Sequence, residues 1–225
     1  MAHYIRTLIA QGEHQHLDFK FAIGNARRIA KSFVAFANAS GGKLLIGVKD
    51  NGVIAGVRTE EELYMAEAAA SYYCSPPVAY SFRKWECDGK MVLEVDIPEG
   101  TQKPYYAKLK DKVSAAYIRI ADEDIKVCSV QLMVWKRQQN PSGLYMVDAE
   151  DKSLLLTYLR KYYPRVSIVM ASKLLMKSYK KTVQLLADLV YLDILEIEYQ
   201  NGEALFRMKK KFFEKNQKKY IFADT

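Results

Sequence analysis

The stretch that decides the fold lies in the first quarter of the chain and reads Gly12-Glu13-His14-Gln15-His16-Leu17-Asp18-Phe19-Lys20, then Ala35-Phe36-Ala37-Asn38-Ala39-Ser40-Gly41-Gly42, then Leu45-Ile46-Gly47-Val48-Lys49-Asp50-Asn51-Gly52. Apolar and polar residues alternate over 17–21, which predicts a half-buried strand with Asp18 and Lys20 on the face opposite the core. Asn25 is a preferred N-cap residue and predicts a helix that runs to about Asn38. A buried strand over 43–48 and a tight turn at Asp50-Asn51-Gly52 complete a strand–helix–strand unit.

The segments around this unit extend it to an α+β domain over residues 1–139. The predicted helices are 4–11, 60–73 and 126–136, and the predicted strands are 53–57, 78–86, 91–97 and 115–120. Their order predicts a mixed or mostly antiparallel sheet. The Asn-Pro-Ser-Gly sequence at 140–143 predicts a linker over 140–149.

A different pattern follows over residues 150–213. The predicted elements are amphipathic helices over 151–163, 169–176 and 180–192, then strands over 194–199 and 204–208. The turn Gln200-Asn201-Gly202 joins the two strands as a hairpin. Three helices followed by a hairpin is the order of a winged helix-turn-helix domain, and residues 214–225 form a basic tail.

Composition indicates the class of binding partner and the cellular compartment to expect. The 225-residue chain is 50% hydrophobic and carries a net charge of +8 with a pI of about 9.2, which favours a polyanionic partner such as nucleic acid. Three widely spaced cysteines exclude a disulfide framework or a zinc motif. No signal peptide and no apolar run of membrane-spanning length is visible, so the sequence predicts a soluble, cytoplasmic protein without a membrane partner.

Three acids in the deciding stretch, Glu13, Asp18 and Asp50, are candidate catalytic groups and metal ligands. Carboxylate oxygens suit Mg²⁺ or Mn²⁺, and a bound ion can activate water and shield a phosphate. The alternative is structural, because Asp50 suits ordinary turn chemistry and Asp18 can pair with a neighbouring lysine.

Two other patterns in this stretch are typical of cofactor sites. His14 and His16 alternate as zinc ligands do, but without a further Cys or His nearby, so a hydrogen-bonding pair is the alternative. Leu44 follows Gly41-Gly42-Lys43 where a phosphate-binding loop has Ser or Thr, so ATP binding is unsupported. No cofactor is expected beyond the metal ion of a nuclease.

Basic, aromatic and polar side chains in three regions are candidate nucleic-acid contacts. They belong to a phosphate-binding face at the helix predicted from Asn25 to about Asn38, a loop over 103–112 with interleaved aromatics, and the start of a recognition helix in the second domain. The alternatives are a solvated helix face, a mobile loop and a domain used only for dimerisation. The candidates are Lys20, Arg27, Arg28, Lys31, Lys103, Tyr105, Lys108, Arg119, Lys180, Lys181, Thr182 and Gln184.

The order of these motifs resembles the Schlafen/AlbA-type nucleic-acid-binding domain. The resemblance runs from Gly12-Glu13 and Asp18-Phe19-Lys20, through Ile46-Gly47-Val48, to Lys103-Pro104-Tyr105 and Tyr117-Ile118-Arg119. It implies that the domain binds RNA or DNA. Bacterial members are often catalogued as transcriptional regulators or as divergent ATPases, and a winged helix often follows the domain.

The resemblance also implies a second activity. Some animal members cut RNA with three acids at the positions of Glu13, Asp18 and Asp50. This chain has Asp18 where Glu is usual, Ala121 where Gly is usual, and one copy of a domain that the animal nucleases have in two copies. A homodimer would supply the second copy.

Three functional hypotheses follow. The first is a nucleic-acid-binding protein that acts as a bacterial transcriptional regulator. The second is a metal-dependent endoribonuclease that cuts structured RNA with Mg²⁺ or Mn²⁺. The third is a dimerisation scaffold with a degenerate site. Salt-dependent affinity separates the first from the third, and metal-dependent cleavage separates the second from both.

Overall fold

The chain divides into two units, Met1–Val127 and Cys128–Thr225, in a computed structural model of the protein. The structure describes residues 2–57, 60–110, 113–141, 149–161 and 164–212. Most of the predicted linker over 140–149 lies outside the described residues, and so does the whole of the predicted basic tail.

The first unit combines helices with short strands. Its elements are α1 (Ala2–Ile9), β1 (Leu17–Lys20), α2 (Ala26–Asn38), β2 (Gly42–Ile46), α3 (Glu61–Ala68), β3 (Cys74–Ser75), β4 (Ser81–Cys87), β5 (Lys90–Ile97), β6 (Tyr106–Lys110), β7 (Val113–Ala115), β8 (Tyr117–Ile120) and β9 (Glu123–Lys126). A π-helical segment, Ala69–Tyr73, continues α3.

A mixed sheet with the strand order β1-β2-β5-β4 forms the centre of this unit. The strands β1 and β2 are parallel, and the other neighbours are antiparallel. Since parallel neighbours need a crossover connection, α2 joins β1 to β2. The mixed α+β architecture that the sequence predicts is therefore confirmed.

Both faces of the central sheet are covered. Phe33 and Phe36 of α2 pack with Leu44 on one face. Ile5 of α1 packs with Phe19 on the other face. Each helix thus buries an apolar stripe against the sheet, which is the arrangement expected for a layered domain.

Local sequence signals fix both ends of α2. The Oδ1 atom of Asn25 accepts hydrogen bonds from the backbone N–H groups of Arg27 at 2.8 Å and Arg28 at 3.3 Å, so the predicted N-cap is confirmed. Gly41 has a φ of +75°, and a Cβ at this position would lie 2.8 Å from the backbone oxygen of Ile97. Only glycine fits this close approach after the helix.

The prediction for β1 is wrong in one respect. Asp18 is only 2% exposed, whereas Phe21 is 49% exposed. The strand is covered on both sides because β8 and β9 pack beside α2 on the face that carries Asp18. The alternation of residue types predicts a polar, solvent-facing side, and the tertiary structure buries that side.

Several predicted boundaries also differ from the structure. The turn after Asp50 is present, with the Gly52 N–H donating to the Lys49 oxygen at 2.8 Å, but 53–57 contributes only an isolated bridge between Val48 and Ile54. The segment predicted as a loop contains β6, which pairs with β3 and β7. The strand predicted over 115–120 is split between β7 and β8, which lie in different sheets.

The second unit begins earlier than the sequence predicts. Its elements are α4 (Ser129–Gln139), α5 (Ala149–Lys161), β10 (Val166–Ser167), α6 (Ile168–Leu175), α7 (Tyr179–Tyr191), β11 (Leu195–Gln200) and β12 (Glu203–Met208). The helix α4 packs in the second core through Val130 and Val134, and Arg137 pairs with Asp188 of α7 at 2.7 Å. The division of the chain therefore precedes α4, whereas the sequence placed this helix in the first domain.

The core of the second unit gathers its helices around a small sheet. Leu155, Leu186 and Phe206 are fully buried in this core. The strands follow the antiparallel order β10-β12-β11. Within the part of the chain that the structure describes, a helix with the length and apolar character to cross a bilayer is absent.

Candidate nucleic-acid interface

A groove of about 600 Å³ lies where β1 ends and α2 begins. Three basic side chains line it, Lys20 from the end of β1 and Arg28 and Lys31 from the first turns of α2. Asn25 and Asp124 also line the groove. The short β1–α2 connection brings the basic residues together, as the sequence predicts for a phosphate-binding face.

The helix itself favours an anion at this position. The first turn of α2 contains no acidic residue, so no side-chain carboxylate of that turn offsets the partial positive charge of the helix N-terminus. Backbone N–H groups at a helix start are common partners of phosphates. The helix N-terminus and the three basic side chains therefore both favour an anion in the groove.

The three basic side chains are held differently. The Lys20 ammonium lies 2.7 Å from Asp18 and donates to the Phe19 oxygen at 2.8 Å. The Lys31 ammonium lies 4.7 Å from the centre of the Tyr117 ring. Arg28 is exposed at the rim. A phosphate in the groove would therefore meet one anchored ammonium and two side chains with greater freedom.

Two of the three predicted catalytic acids meet beside the groove. The Oε1 atom of Glu13 accepts a hydrogen bond from the Phe19 N–H at 2.8 Å. Burial and the neighbouring carboxylate of Asp18 raise the pKa of Glu13 to about 7, against the opposing effects of the Phe19 N–H and Lys20. Glu13 is therefore protonated in part at neutral pH, whereas Asp18 has cationic partners.

The third acid, Asp50, lies exposed at the turn after β2. Within the described ranges, no group of three or more His, Cys, Asp or Glu side chains is arranged to hold a metal ion. The histidines make hydrogen bonds: His16 Nδ1 lies 3.0 Å from the Gly41 oxygen, and His14 Nε2 lies 3.3 Å from the Gln11 Oε1 atom. The geometry thus brings Glu13 and Asp18 together without Asp50.

Arg119 has an internal role in place of the predicted nucleic-acid contact. It is 2% exposed, and its guanidinium pairs with Asp18 at 3.2 Å and with Asp124 at 3.1 Å. Asp124 also accepts a hydrogen bond from Ser32 of α2 at 2.7 Å. This network connects β1, α2 and the β8–β9 hairpin, so the Arg119 guanidinium is engaged inside the first unit.

Gln15 makes two further hydrogen bonds to the hairpin. Its side-chain amide donates to the Arg119 oxygen at 2.7 Å, and its Oε1 atom accepts from the Ala121 N–H at 3.0 Å. Ala121 has a φ of +53°, a conformation that favours glycine. Ala121, which stands where the resemblance leads us to expect Gly, thus lies in a turn that is hydrogen-bonded to Gln15.

Two predicted nucleic-acid contacts around residues 103–108, Tyr105 and Lys103, make contacts within the first unit. Tyr105 is buried against α2, so its ring cannot stack on a base as the sequence predicts. Lys103 donates to the Ala39 oxygen at 2.8 Å and pairs with Glu99 at 2.6 Å. Asn38, which the sequence analysis did not single out, exchanges hydrogen bonds with the Tyr105 backbone.

The start of α7 presents three of its four candidates to solvent. Lys180, Lys181 and Gln184 are exposed, whereas Thr182 is fully buried and donates to the backbone oxygen of Ser178 at 3.1 Å. Thr182 therefore supports the helix start and cannot contact a base edge. In the β11–β12 hairpin that follows, acidic residues pair with a basic residue of the same hairpin: Glu196 lies 2.6 Å from Arg207.

Sequence reasoning missed Ser32, Asp124 and Gln15 at this site. Ser32 and Asp124 line the groove, and Gln15 lies within the quoted motif. A polar residue inside the apolar stripe of α2 was the available signal for Ser32. No local pattern pairs Ser32 with Asp124, which follows it by 92 positions.

Comparison with known proteins gives three results. Among solved structures, the chain is similar to the DIP2311 protein from Corynebacterium diphtheriae, with 18% identity and a TM-score of 0.47 over 69% of this chain and 32% of that one. It is also similar to the N-terminal domain of a RecG-related protein from Nitrosomonas europaea, with 24% identity and a TM-score of 0.39 over 55% of this chain and 93% of that one. No curated protein matches the chain significantly.

The chain spans about a third of the length of the Corynebacterium protein. A family model described as "Schlafen, AlbA_2" matches residues 13–128, more than half of the chain. This match includes β1, α2 and the hairpin that together form the groove and its ion-pair network, and it confirms the resemblance found in the sequence. The chain belongs to the Schlafen, AlbA_2 family.

Proposed function

We propose that the first unit binds nucleic acid in the groove at the start of α2. The observation that carries this proposal is the convergence of Lys20, Arg28 and Lys31 on one groove of about 600 Å³ at a helix N-terminus. Phosphate oxygens match this site in charge and in hydrogen-bonding character. Membership of the family supports a nucleic-acid-associated role.

The finer proposal is a bacterial transcriptional regulator in the cytoplasm. The order α5, α6, α7 and the β11–β12 hairpin supports a winged helix, in which α7 is the recognition helix. Lys180, Lys181 and Gln184 are exposed at its start and would contact DNA. A homodimer belongs to this proposal, since two recognition helices would read two half-sites.

A binding titration tests the proposal. Labelled 20-mer duplex DNA and RNA are titrated with the whole chain at several NaCl concentrations between 50 and 200 mM, and affinity is measured by fluorescence anisotropy. The double variant Arg28→Ala/Lys31→Ala should bind at least about 10-fold more weakly, with a salt dependence reduced by about one unit of slope for each lost contact.

Arg83→Ala is the matched control. Arg83 is an exposed residue of β4, at the opposite edge of the sheet from β1, so this variant loses a basic charge away from the groove. The single variant Arg28→Ala is measured beside it, and equal losses for Arg83→Ala and Arg28→Ala would indicate a nonspecific effect of net charge and would contradict the groove. Wild-type protein that binds neither polymer would contradict the proposed function and favour the scaffold hypothesis.

The same samples, incubated with Mg²⁺, Mn²⁺ or EDTA and resolved on a gel, test the ribonuclease hypothesis. Metal-dependent cleavage of structured RNA that is lost in Asp18→Asn and Asp50→Ala would favour catalysis by the acids. Binding without cleavage leaves Glu13 and Asp18 with the structural role that their contacts describe.

A further inference from the structure

Two adjacent tyrosines form an unusual surface feature at the end of the π-helical segment. Tyr72 is 67% exposed, and its ring meets that of Tyr73 edge to face, with the two centroids 5.0 Å apart. Tyr73 packs against the core, whereas Tyr72 is not among the residues that pack there. The core therefore accounts for Tyr73 but gives no reason for the large exposed ring of Tyr72.

Two cations accompany these rings. The Lys108 ammonium of β6 lies 5.3 Å from the centre of the Tyr72 ring and donates to the backbone oxygen of Tyr72 at 2.8 Å. The Arg27 guanidinium of α2 lies 5.3 Å from the centre of the Tyr73 ring. Since α2, β6 and the π-helical segment pack against one another, the rings and cations are held in position before any ligand binds.

The feature is continuous with the groove. Arg27 and Lys31 are four residues apart on α2 and therefore lie on the same face of the helix. Lys31 also lines the groove. Tyr72, Tyr73, Lys108, Arg27 and Lys31 thus form an aromatic–basic strip that leads from the π-helical segment to the groove.

We infer that the aromatic–basic strip binds single-stranded nucleic acid, with a base stacked on Tyr72 and phosphates held by Lys108, Arg27 and Lys31. This inference rests on the proposed function and specifies the strand state of its ligand. A tyrosine ring reaches the face of a base only where the base is unstacked from its neighbours, as in a single strand, a loop or an end. Flanking basic side chains hold the backbone of such a strand.

The experiment compares single-stranded and duplex probes of one length. Anisotropy titrations use labelled dT12, U12 and a 12-base-pair DNA duplex with the whole chain. Tyr72→Ala should weaken binding of the single strands by about 5- to 150-fold, the effect of losing one stacked base, while duplex affinity changes by less than about 3-fold. Tyr72→Phe retains the ring and should remain within about 3-fold of wild type.

Tyr64→Ala is the matched control. Tyr64 is 65% exposed on α3, so this variant removes a tyrosine of equal exposure that lies outside the strip. It should bind all three probes as the wild type does. Because both positions are exposed, the variants should retain the fold, which thermal unfolding followed by circular dichroism checks.

The outcomes separate this inference from the proposed function. Wild-type protein that binds the probes while Tyr72→Ala binds them equally well would overturn the strip and leave the groove proposal intact. Equal weakening toward single strand and duplex would overturn the single-strand assignment. Wild-type protein that binds no probe would remove the proposed function, and this inference with it.

Discussion

At the scale of single residues, two glutamates of the first unit show how partners decide protonation. Burial opposes ionisation of Glu94, but hydrogen bonds from Lys43, Tyr4 and Trp85 outweigh it and lower the pKa of this carboxyl. Glu13 instead faces the carboxylate of Asp18, which adds to burial and raises its pKa. The pKa of a glutamate is thus shifted in opposite directions by cationic and donor partners in one case and by a neighbouring carboxylate in the other.

Arg119→Met should be strongly destabilising. The substitution keeps most of the side-chain volume but removes the guanidinium that lies 3.2 Å from Asp18 and 3.1 Å from Asp124. Removing one partner of a buried ion pair costs about 3–5 kcal/mol in unfolding free energy. Urea denaturation at pH 7 measures this loss, and Arg28→Met, at an exposed position, should change stability by less than about 0.5 kcal/mol.

Glu13 should make stability depend on pH. Its pKa is raised from 4.5 to about 7 in the folded protein, so the folded state binds its proton more tightly than the unfolded state. The stabilising contribution is therefore complete below pH 4.5 and is lost as the pH rises through about 7.

The variant Glu13→Gln tests this dependence because its amide does not titrate. Urea denaturation of both proteins across pH 4.5–8 should show the wild type losing stability relative to the variant between pH 4.5 and 7. The difference should then level off above pH 7. A constant difference over the whole range would show that the folded and unfolded states bind the Glu13 proton equally.

At the scale of secondary-structure elements, α2 links stability to the proposed binding. Asn25→Ala removes the acceptor of two backbone N–H groups at its start and should lower the unfolding free energy by about 1 kcal/mol. Asn25→Asp keeps a cap acceptor and adds a negative charge that suits the helix N-terminus. It should therefore preserve stability, as urea denaturation would show.

The two variants should have different effects on binding. Asn25 lines the groove, so the carboxylate of Asn25→Asp would repel phosphate there, and affinity for nucleic acid should fall although the fold is intact. Asn25→Ala adds no charge to the groove and should bind close to wild type at temperatures where it is folded. Anisotropy titrations at low salt measure both. Unchanged affinity in Asn25→Asp would argue that phosphate binds elsewhere.

The elements that the sequence predicts well are those with local signals. Asn25 and Gly41 mark the two ends of α2, and its apolar stripe is regular, so its position follows from short-range rules. The strand β6 was missed because its lysines resemble those of a mobile loop, although Ala107 faces the core. Its partner β3 lies far earlier in the sequence, and its other partner β7, which follows closely, is only three residues long. Neither gives a strong local strand pattern.

The residues of the candidate site also separate into those that local sequence predicts well and those that it does not. Lys20, Arg28 and Lys31 come from neighbouring elements, so the sequence could group them, and they line one groove. Arg119 and Tyr105 were predicted as surface contacts because charge and aromaticity usually indicate exposure. Their burial depends on Asp18 and on α2, more than 60 residues away in each case, and a single sequence does not reveal such pairings.

At the scale of the whole molecule, the two units have separate hydrophobic cores. Leu44 is fully buried in the first core and Leu186 in the second. The two tryptophans of the chain are also divided between the units, Trp85 in β4 and Trp135 in α4. Tryptophan fluorescence can therefore report on each unit separately when the other residue is replaced by Phe.

Leu186→Ala should destabilise the second unit selectively. Truncation of a fully buried leucine costs about 2–5 kcal/mol through lost burial and the cavity left behind. In a Trp85→Phe background, the urea midpoint reported by Trp135 should fall. In a Trp135→Phe background, the midpoint reported by Trp85 should hold, and Leu44→Ala should give the reverse pattern. A shift of both midpoints by one substitution would show that the units unfold as one.

The position of α4 has a practical consequence for cutting the chain into parts. This helix begins two residues after Val127, yet its apolar residues Val130 and Val134 belong to the core of the second unit. A fragment that stops at Gln139 would keep the helix but lose the surface on which it packs, so the apolar face of the helix would be exposed and prone to aggregation. A fragment that stops at Val127 lacks this exposed face, so the choice between these two endpoints decides how well the isolated first unit behaves in solution.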